Sequence, residues 1–143
     1  MQSNTLFKRV LITVMCGLLI CLSSCYSVRM NNYYSQKENY ITVTGKVSYI
    51  NYDEGSVSLY IGLSEMSQDL DDSCFKLVGD NLRTVRMNGI DAKLEVGTNI
   101  ELITAPEHFG DGYVMPVVAI SINGESLLDF EEGYNNLLNW LSR

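Results

Sequence analysis

The residues whose side chains are best suited to bind a ligand or to react lie between the two prolines of the chain. This stretch holds the single histidine, His108, together with Phe109, Asp111 and Tyr113. Aromatic rings stack on sugars or bases, and an imidazole both donates and accepts hydrogen bonds. The stretch therefore predicts a candidate ligand-binding loop. The structural alternative is a loop in which Gly110-Asp111-Gly112 makes the turn and both rings fold back onto the domain.

The sequence does not indicate an enzyme. It contains no HExxH, CxxC, Gly-x-Ser-x-Gly or phosphate-binding glycine motif. His108 and Asp111 have no nucleophile or second base beside them. An acidic stretch lacks the glycine and distal glutamate of a calcium loop, which favours a solvated loop: it comprises Glu65, Asp69, Asp71 and Asp72. We expect no catalytic residues, no metal and no cofactor.

The N-terminus has the layout of an export signal. Basic residues Lys8 and Arg9 precede an apolar run over 10–22, and small residues follow it up to Cys25. A helix that crosses a bilayer needs roughly 20 apolar residues, which is more than this run provides. We therefore predict a cleaved signal peptide over residues 1–24. An ordinary secretory peptide and an uncleaved helix are the alternatives.

Leu22-Ser23-Ser24-Cys25 resembles the lipobox of bacterial lipoproteins. This resemblance implies cleavage before Cys25 and attachment of palmitate or similar acyl chains to it. Two acyl chains suffice for stable membrane anchoring. The expected location is the cell envelope, with the protein held on the extracytoplasmic side of a membrane.

The composition fits one acidic domain. The chain has 143 residues, of which 46% are hydrophobic, and 10 basic residues stand against 17 acidic ones, for a net charge of −7. Such a charge repels a phosphate backbone, so nucleic acid is an unlikely partner. A few basic residues could still gather on one face: Lys76, Arg83, Arg86 and Lys93. If Cys25 is acylated, Cys74 is the single free thiol of the mature chain, and its strand-like setting predicts a buried side chain.

The mature chain begins with a polar segment without period, which predicts a flexible tether over 25–39. A domain then follows over 40–143. Alternating apolar residues and short apolar runs predict six strands, and turn residues separate them: 41–49, 57–63, 74–78, 100–103, 117–122 and 125–128. Gly45 is a candidate bulge. A short helix capped by Asp80 is predicted between Gly79 and Gly89, and Asn88-Gly89 is predicted to close it with a left-handed turn.

The C-terminus predicts an amphipathic helix. Asp129 and Glu132 make a capping-box variant. The apolar stripe comprises Phe130, Tyr134, Leu137, Leu138 and Leu141. This stripe requires burial against the sheet, with Trp140 at the rim.

Five short strands with a helix between the third and the fourth resemble the OB-fold, a small partly open barrel. The predicted fold is therefore mainly β, a five- to six-stranded OB-fold-like barrel with one short internal helix and the C-terminal helix. Three stretches are similar to small bacterial lipoproteins with an OB-type domain, a likeness that carries no established activity: Ile103–Pro106, Phe109–Tyr113 and Glu131–Tyr134.

These features favour a membrane-anchored, non-catalytic binding module for a peptide, a glycan or an envelope protein. In an OB-fold the stretch with His108 is the loop between strands four and five, which commonly lines the ligand groove. One alternative is a structural or assembly factor that docks through its C-terminal helix. A single-stranded nucleic-acid-binding domain is the third possibility.

The anchor can be tested by replacing Cys25 with serine. We expect Cys25→Ser to abolish incorporation of labelled palmitate and to release the chain from the membrane fraction, because the thioether cannot form. Cys74→Ser is the matched control and should keep both properties. Palmitate incorporation into Cys25→Ser at the normal level would contradict the lipoprotein assignment.

Overall fold

The structure, a computed structural model, describes residues 28–107 and 114–142. The chain divides into two compact units, residues 1–35 and residues 36–143. In the first unit, residues 28–34 are helical. Regular structure was not expected within the predicted tether over 25–39, because a short polar helix carries no apolar period that a sequence reveals. The role of this segment as a tether stays a prediction.

The second unit is mainly β. Its strands are β1 (Ile41–Asp53), β2 (Ser58–Ser64), β3 (Cys74–Val78), β4 (Asn99–Thr104), β5 (Met115–Ile122) and β6 (Glu125–Leu128). Its helices are α1 (Gly79–Met87), α2 (Ile90–Lys93) and α3 (Phe130–Leu141), and a 3-10 turn precedes β1 (Lys37–Asn39). The six predicted strands and two predicted helices are confirmed, and α2 is additional. Within the described ranges, none of the helices has the length and apolar character needed to span a bilayer.

The strands form one sheet, and five of them close into a ring. β1 pairs with β2 and β4, β2 pairs with β3, and β4 pairs with β5, all antiparallel. The parallel pairs Phe75–Met115 and Lys76–Pro116 join β3 to β5 and complete the circuit. β6 continues the sheet beyond β5. We call β1 to β5 the strand ring.

β1 is long enough to pair with two strands along different parts of its length. Residues 41–46 pair with β4 and residues 46–53 pair with β2. The irregularity in β1 falls between Val47 and Tyr49, so the bulge expected at Gly45 is displaced along the strand. Gly45 instead permits a close approach, because a Cβ there would lie 3.1 Å from the carbonyl oxygen of Ser64.

The core lies inside the strand ring. Alternate residues of β2, β3 and β4 are buried there, as the period of two predicts, and β1 and β5 also contribute to the core. The buried residues include Val43, Val47, Ile61, Phe75, Leu77, Leu102 and Ile120. α1 and α2 contribute Leu82, Val85 and Ile90 to the same cluster. The neighbouring residues of each strand must therefore point outward.

α3 packs on β5 as the amphipathic pattern predicts. Its N-cap is Asp129, whose carboxylate accepts a hydrogen bond from the Glu132 N–H at 3.0 Å. Tyr134 and Leu137 are buried, and Trp140 stays 40% exposed at the rim. The apolar stripe of this helix is thus largely covered by the chain itself.

A close contact holds α3, β5 and α1 together. A Cβ on Gly133 would lie 1.9 Å from the carbonyl oxygen of Val118, so the α3 backbone rests directly on β5. The buried amide of Asn81 on α1 donates to the carbonyl oxygens of Val117 at 3.1 Å and Gly133 at 3.0 Å. We call Asn81, Val117, Val118 and Gly133 the helix clamp.

Two local predictions are wrong. The N-cap of α1 is Val78 rather than Asp80, which lies in the first turn, because β3 runs into the helix without an intervening loop. Cys74 is half-buried rather than buried, because it belongs to the outward row of β3. The predicted left-handed turn after α1 is confirmed, since Gly89 has a φ of 80°.

Gly133→Ala tests the helix clamp. We expect this substitution to lower the free energy of unfolding by about 1–3 kcal/mol or more, since the methyl group must displace the backbone of β5 or α3. The measurement is urea unfolding followed by circular dichroism. Gly55→Ala is the matched control, because its Cβ would meet one flexible carboxylate oxygen at 3.3 Å. Equal unfolding midpoints for the two variants would contradict the clamp.

Candidate functional site

The predicted lipidation site and the candidate ligand-binding loop lie outside the described part of the chain. These are Cys25 and the loop residues His108, Phe109, Asp111 and Tyr113. Their predicted roles in lipidation and ligand binding stay predictions.

The acidic stretch lies beside the described ends of that loop. Asp69, Asp71 and Asp72 line a cavity of about 160 Å³ with Pro106 and Met115. Among the residues that the structure describes, no group of three or more acidic, cysteine or histidine side chains is arranged to hold a metal ion.

A broad cavity lies on the outside of the strand ring. Val43, Leu102 and Ile120 are paired across β1, β4 and β5, and all three are buried in the core. Since successive residues of a strand point to opposite faces, the next row points outward. That row consists of Thr44, Glu101 and Ser121, which are paired in the same way.

This outward row forms the floor of a cavity of about 440 Å³. Its walls come from the middle of β1, from the start of β4, from the β5–β6 turn and from the residue that follows β2: they are Gly45, Lys46, Glu65, Asn99, Ile100, Asn123 and Gly124. Most of these side chains are polar. A concave surface with several converging polar groups is the usual form of a small-ligand site.

A second cavity of about 230 Å³ continues the first. The two share Glu101 and Ser121 as lining residues. The second cavity adds the ring of Phe130 and the polar residues Ser126 and Asp129. The two cavities together form one depression across β1, β4, β5 and the start of α3, which we call the outer groove.

Several polar side chains of the outer groove have no protein partner. Across residues 28–107 and 114–142, four of its side chains make no hydrogen bond or ion pair with protein: Asn99, Glu101, Ser121 and Asn123. Lys46 and Glu65 form an ion pair at 3.7 Å that is open to solvent and therefore weak. The groove thus presents donors and acceptors that a ligand can engage.

The chain after β2 builds one wall of the outer groove. Glu65 has a left-handed backbone with a φ of 52°, which turns the chain back along β1. The Ser67 N–H then donates to the Thr44 carbonyl oxygen at 2.8 Å, and the Thr44 N–H donates to the Ser67 hydroxyl at 2.9 Å. These bonds occupy the edge of β1 that β2 leaves unpaired.

A second outward surface, on β1 to β3, carries aromatic side chains. The Tyr49 ring lies across Gly62, where a Cβ would come within 2.1 Å of it, and the Tyr49 hydroxyl donates to the Cys74 Sγ at 2.6 Å. Burial, followed by this hydrogen bond, raises the pKa of Tyr49 to about 12. The ammonium of Lys76 lies 5.0 Å from the centre of the Tyr60 ring. These side chains already have partners within the surface, in contrast to Asn99, Glu101, Ser121 and Asn123 of the outer groove.

Local hydrogen bonds fix the turn between β1 and β2. The Ser56 hydroxyl and the Gly55 N–H both donate to the Asp53 carboxylate. These hydrogen bonds lower the pKa of Asp53. The turn is therefore fixed by local polar contacts rather than by burial.

The basic residues named from the sequence do not form one face. Arg83 and Arg86 line a common hollow beside α1. Lys76 of β3 lies over the Tyr60 ring of β2, and Lys93 forms an ion pair with Glu125 at 2.7 Å. The structure therefore brings together two of the four.

Sequence reasoning missed the outer groove, although part of its signal was present. Thr44 and Glu101 occupy the polar positions of alternating strands. Their convergence with Ser121 depends on the pairing of β1 with β4 and of β4 with β5. That pairing cannot be predicted from the sequence of any single strand. No protein-family model matches the chain, and no curated protein and no solved structure shows significant similarity to it.

Proposed function

We propose that the chain is a non-catalytic binding module whose outer groove binds a neutral glycan of the cell envelope. The observation that carries this proposal is the convergence of unpartnered polar side chains in one cavity of about 440 Å³. The groove combines a carboxylate, amides and hydroxyls, so it offers both donors and acceptors. A ligand rich in hydroxyl groups matches that mixture.

The charges of the groove favour a neutral ligand. Glu65, Glu101 and Asp129 contribute carboxylates, against the single ammonium of Lys46. Like charges would repel an anionic sugar chain. Phe130, whose ring stacks on Tyr134 and meets Tyr40 edge-on, lines the other end and leaves part of its surface as an apolar contact for the C–H groups of a sugar ring.

A peptide that adds a strand to β1 is less well matched to this surface. Strand addition needs unpaired main-chain groups on a sheet edge. The exposed edge of β1 beside the groove is already bonded to the loop after β2, through Ser67 and through the Gln68 amide to the Thr42 carbonyl oxygen at 3.4 Å. A sugar needs no free strand edge, because the polar side chains of the groove can bind its hydroxyl groups directly.

The strand ring supports an OB-fold for this domain. Its circuit runs β1, β2, β3, β5, β4, the β3–β5 contact is parallel, and α1 lies between β3 and β4. A five-stranded, partly open barrel of this kind is a common scaffold for saccharide and oligonucleotide ligands. Fold similarity alone assigns no function, so the outer groove carries the proposal.

The proposed location follows from the N-terminus. Residues 1–24 direct export, Cys25 carries the acyl chains, residues 25–39 tether the domain, and residues 40–143 form it. The chain would then meet envelope glycans on the extracytoplasmic side of a membrane. This location and the net charge of −7 also disfavour a nucleic-acid ligand.

Docking through the C-terminal helix is the weaker alternative. Tyr134 and Leu137, at the centre of its apolar stripe, are buried within the chain. A partner that needed this stripe would have to displace α3 from β5. The groove requires no such rearrangement.

Glu101→Gln tests the proposed ligand site. With the tetramer of N-acetylglucosamine as a neutral probe, we expect calorimetry to show binding to the wild-type domain. We expect a roughly tenfold loss of affinity in the variant, because a hydrogen bond to a charged acceptor contributes about 1.5–3 kcal/mol. Glu54→Gln, on the β1–β2 turn, is the matched control and should bind normally.

The thermal midpoints of both variants should match the wild type, since the Glu101 side chain makes no hydrogen bond or ion pair within the described residues. Equal affinity of Glu101→Gln and wild type would overturn the assignment of the groove. Tighter binding of an anionic oligosaccharide, such as an alginate fragment, would overturn the preference for a neutral glycan.

A further inference from the structure

A separate cavity, which is not part of the outer groove, lies between the β1–β2 turn and α1. It has a volume of about 420 Å³, and we call it the hairpin hollow. Val57 forms one side, and the other side includes Leu82, Arg83, Arg86 and Met87 of α1. The hollow therefore joins apolar side chains to two guanidinium groups.

Val57 holds an unfavourable backbone conformation. Its φ is 48°, in the left-handed region where a β-branched residue is a genuine outlier. The side chain gains little burial in exchange, because it is 56% exposed. Glycine would satisfy this turn more easily. The strained position thus presents an apolar side chain to the surroundings, as is typical of a binding surface.

Two further apolar side chains are exposed around α1. Met87 is 70% exposed and lines the hollow. Trp140, the single tryptophan of the chain, is 40% exposed and lies against Gly79, which also lines the hollow. Three of the large exposed apolar side chains of the domain therefore border one surface.

The two arginines of this surface differ in their contacts within the chain. The Arg86 guanidinium stacks on the Tyr52 ring at 4.1 Å and forms an ion pair with Asp91 at 3.7 Å. Arg83 is exposed and has no ion pair in the part of the chain that the structure describes. Asp80 is the one acidic residue that lines the hollow. Arg83 is thus the cation available to an external anion.

We infer that the hairpin hollow contacts the surface of a bilayer that contains anionic phospholipid. A lipid phosphate matches Arg83, and the acyl–headgroup boundary matches Val57, Met87 and Trp140, since tryptophan favours that boundary. This chemistry is complementary to the hollow although the chain as a whole is acidic. The inference rests on the proposed anchor at Cys25, which keeps the domain beside the lipid.

The single tryptophan provides the test. The mature lipidated chain is reconstituted into vesicles of phosphatidylcholine alone or of phosphatidylcholine with phosphatidylglycerol. Quenching of Trp140 by phospholipids that carry a nitroxide near the headgroup reports contact. We expect at least about twofold stronger quenching in the anionic vesicles, and weaker quenching at high salt.

Three variants sharpen the test. Arg83→Gln should weaken the contact about fivefold, the loss expected for one arginine at an anionic surface. Lys93→Gln is the matched control, because Lys93 is paired with Glu125 away from the hollow. Val57→Gly should raise the thermal midpoint by relieving strain and yet reduce quenching, a combination that a purely structural role of Val57 does not produce.

The outcomes separate this inference from the proposed anchor. If the chain fails to float with either kind of vesicle, both proposals fall. If it floats but Trp140 is quenched equally in the two kinds, or Arg83→Gln has no effect, the lipid contact alone is wrong. Absence of quenching, together with a Trp140 emission shift as protein density rises, would assign the hollow to a second copy of the chain.

Discussion

The contact between the α3 backbone and β5 determines how the domain is assembled. At Gly133 the helix approaches the Val118 carbonyl oxygen so closely that no side chain fits between them. Asn81 then joins α1 to both elements through two hydrogen bonds from one amide group. The Oδ1 atom of Asn81 is buried without a hydrogen-bond partner in the described residues. This unsatisfied acceptor lowers the free energy of unfolding by about 1–3 kcal/mol.

Both proposed surfaces depend on this helix clamp. Because α3 is fixed on β5, its first turn places Asp129 and Phe130 at one end of the outer groove. Its last turn places Trp140 against Gly79, beside the hairpin hollow. One helix therefore contributes to a polar groove and to a mixed apolar and cationic hollow. A tethered domain of this kind would use the hollow toward lipid and the groove toward glycan.

The sequence predicted what local pattern and turn chemistry determine. The strands with a period of two, the cap at Asp129 and the left-handed Gly89 are each specified within a few residues, and each is confirmed. The prediction of Asp80 as the cap of α1 is wrong, because the sequence does not reveal that β3 leads directly into α1.

The rest depends on contacts between distant segments. Phe75 and Met115 pair across 40 positions to close the strand ring, and no local signal encodes that pairing. The outward row of Thr44, Glu101 and Ser121 exists only once β1, β4 and β5 are neighbours. The strain at Val57 is likewise invisible in a sequence, since its φ is set by the register of β1 with β2.

The most direct test of the account is a map of where a neutral glycan touches the domain. Backbone amide shifts of the isotope-labelled domain are recorded while the N-acetylglucosamine tetramer is added. The account predicts shifts concentrated at Thr44, Glu101, Ser121 and Asn123, with little change at Tyr60 and Lys76. Shifts confined to the aromatic surface of β1 to β3, or the absence of any shift, would contradict it.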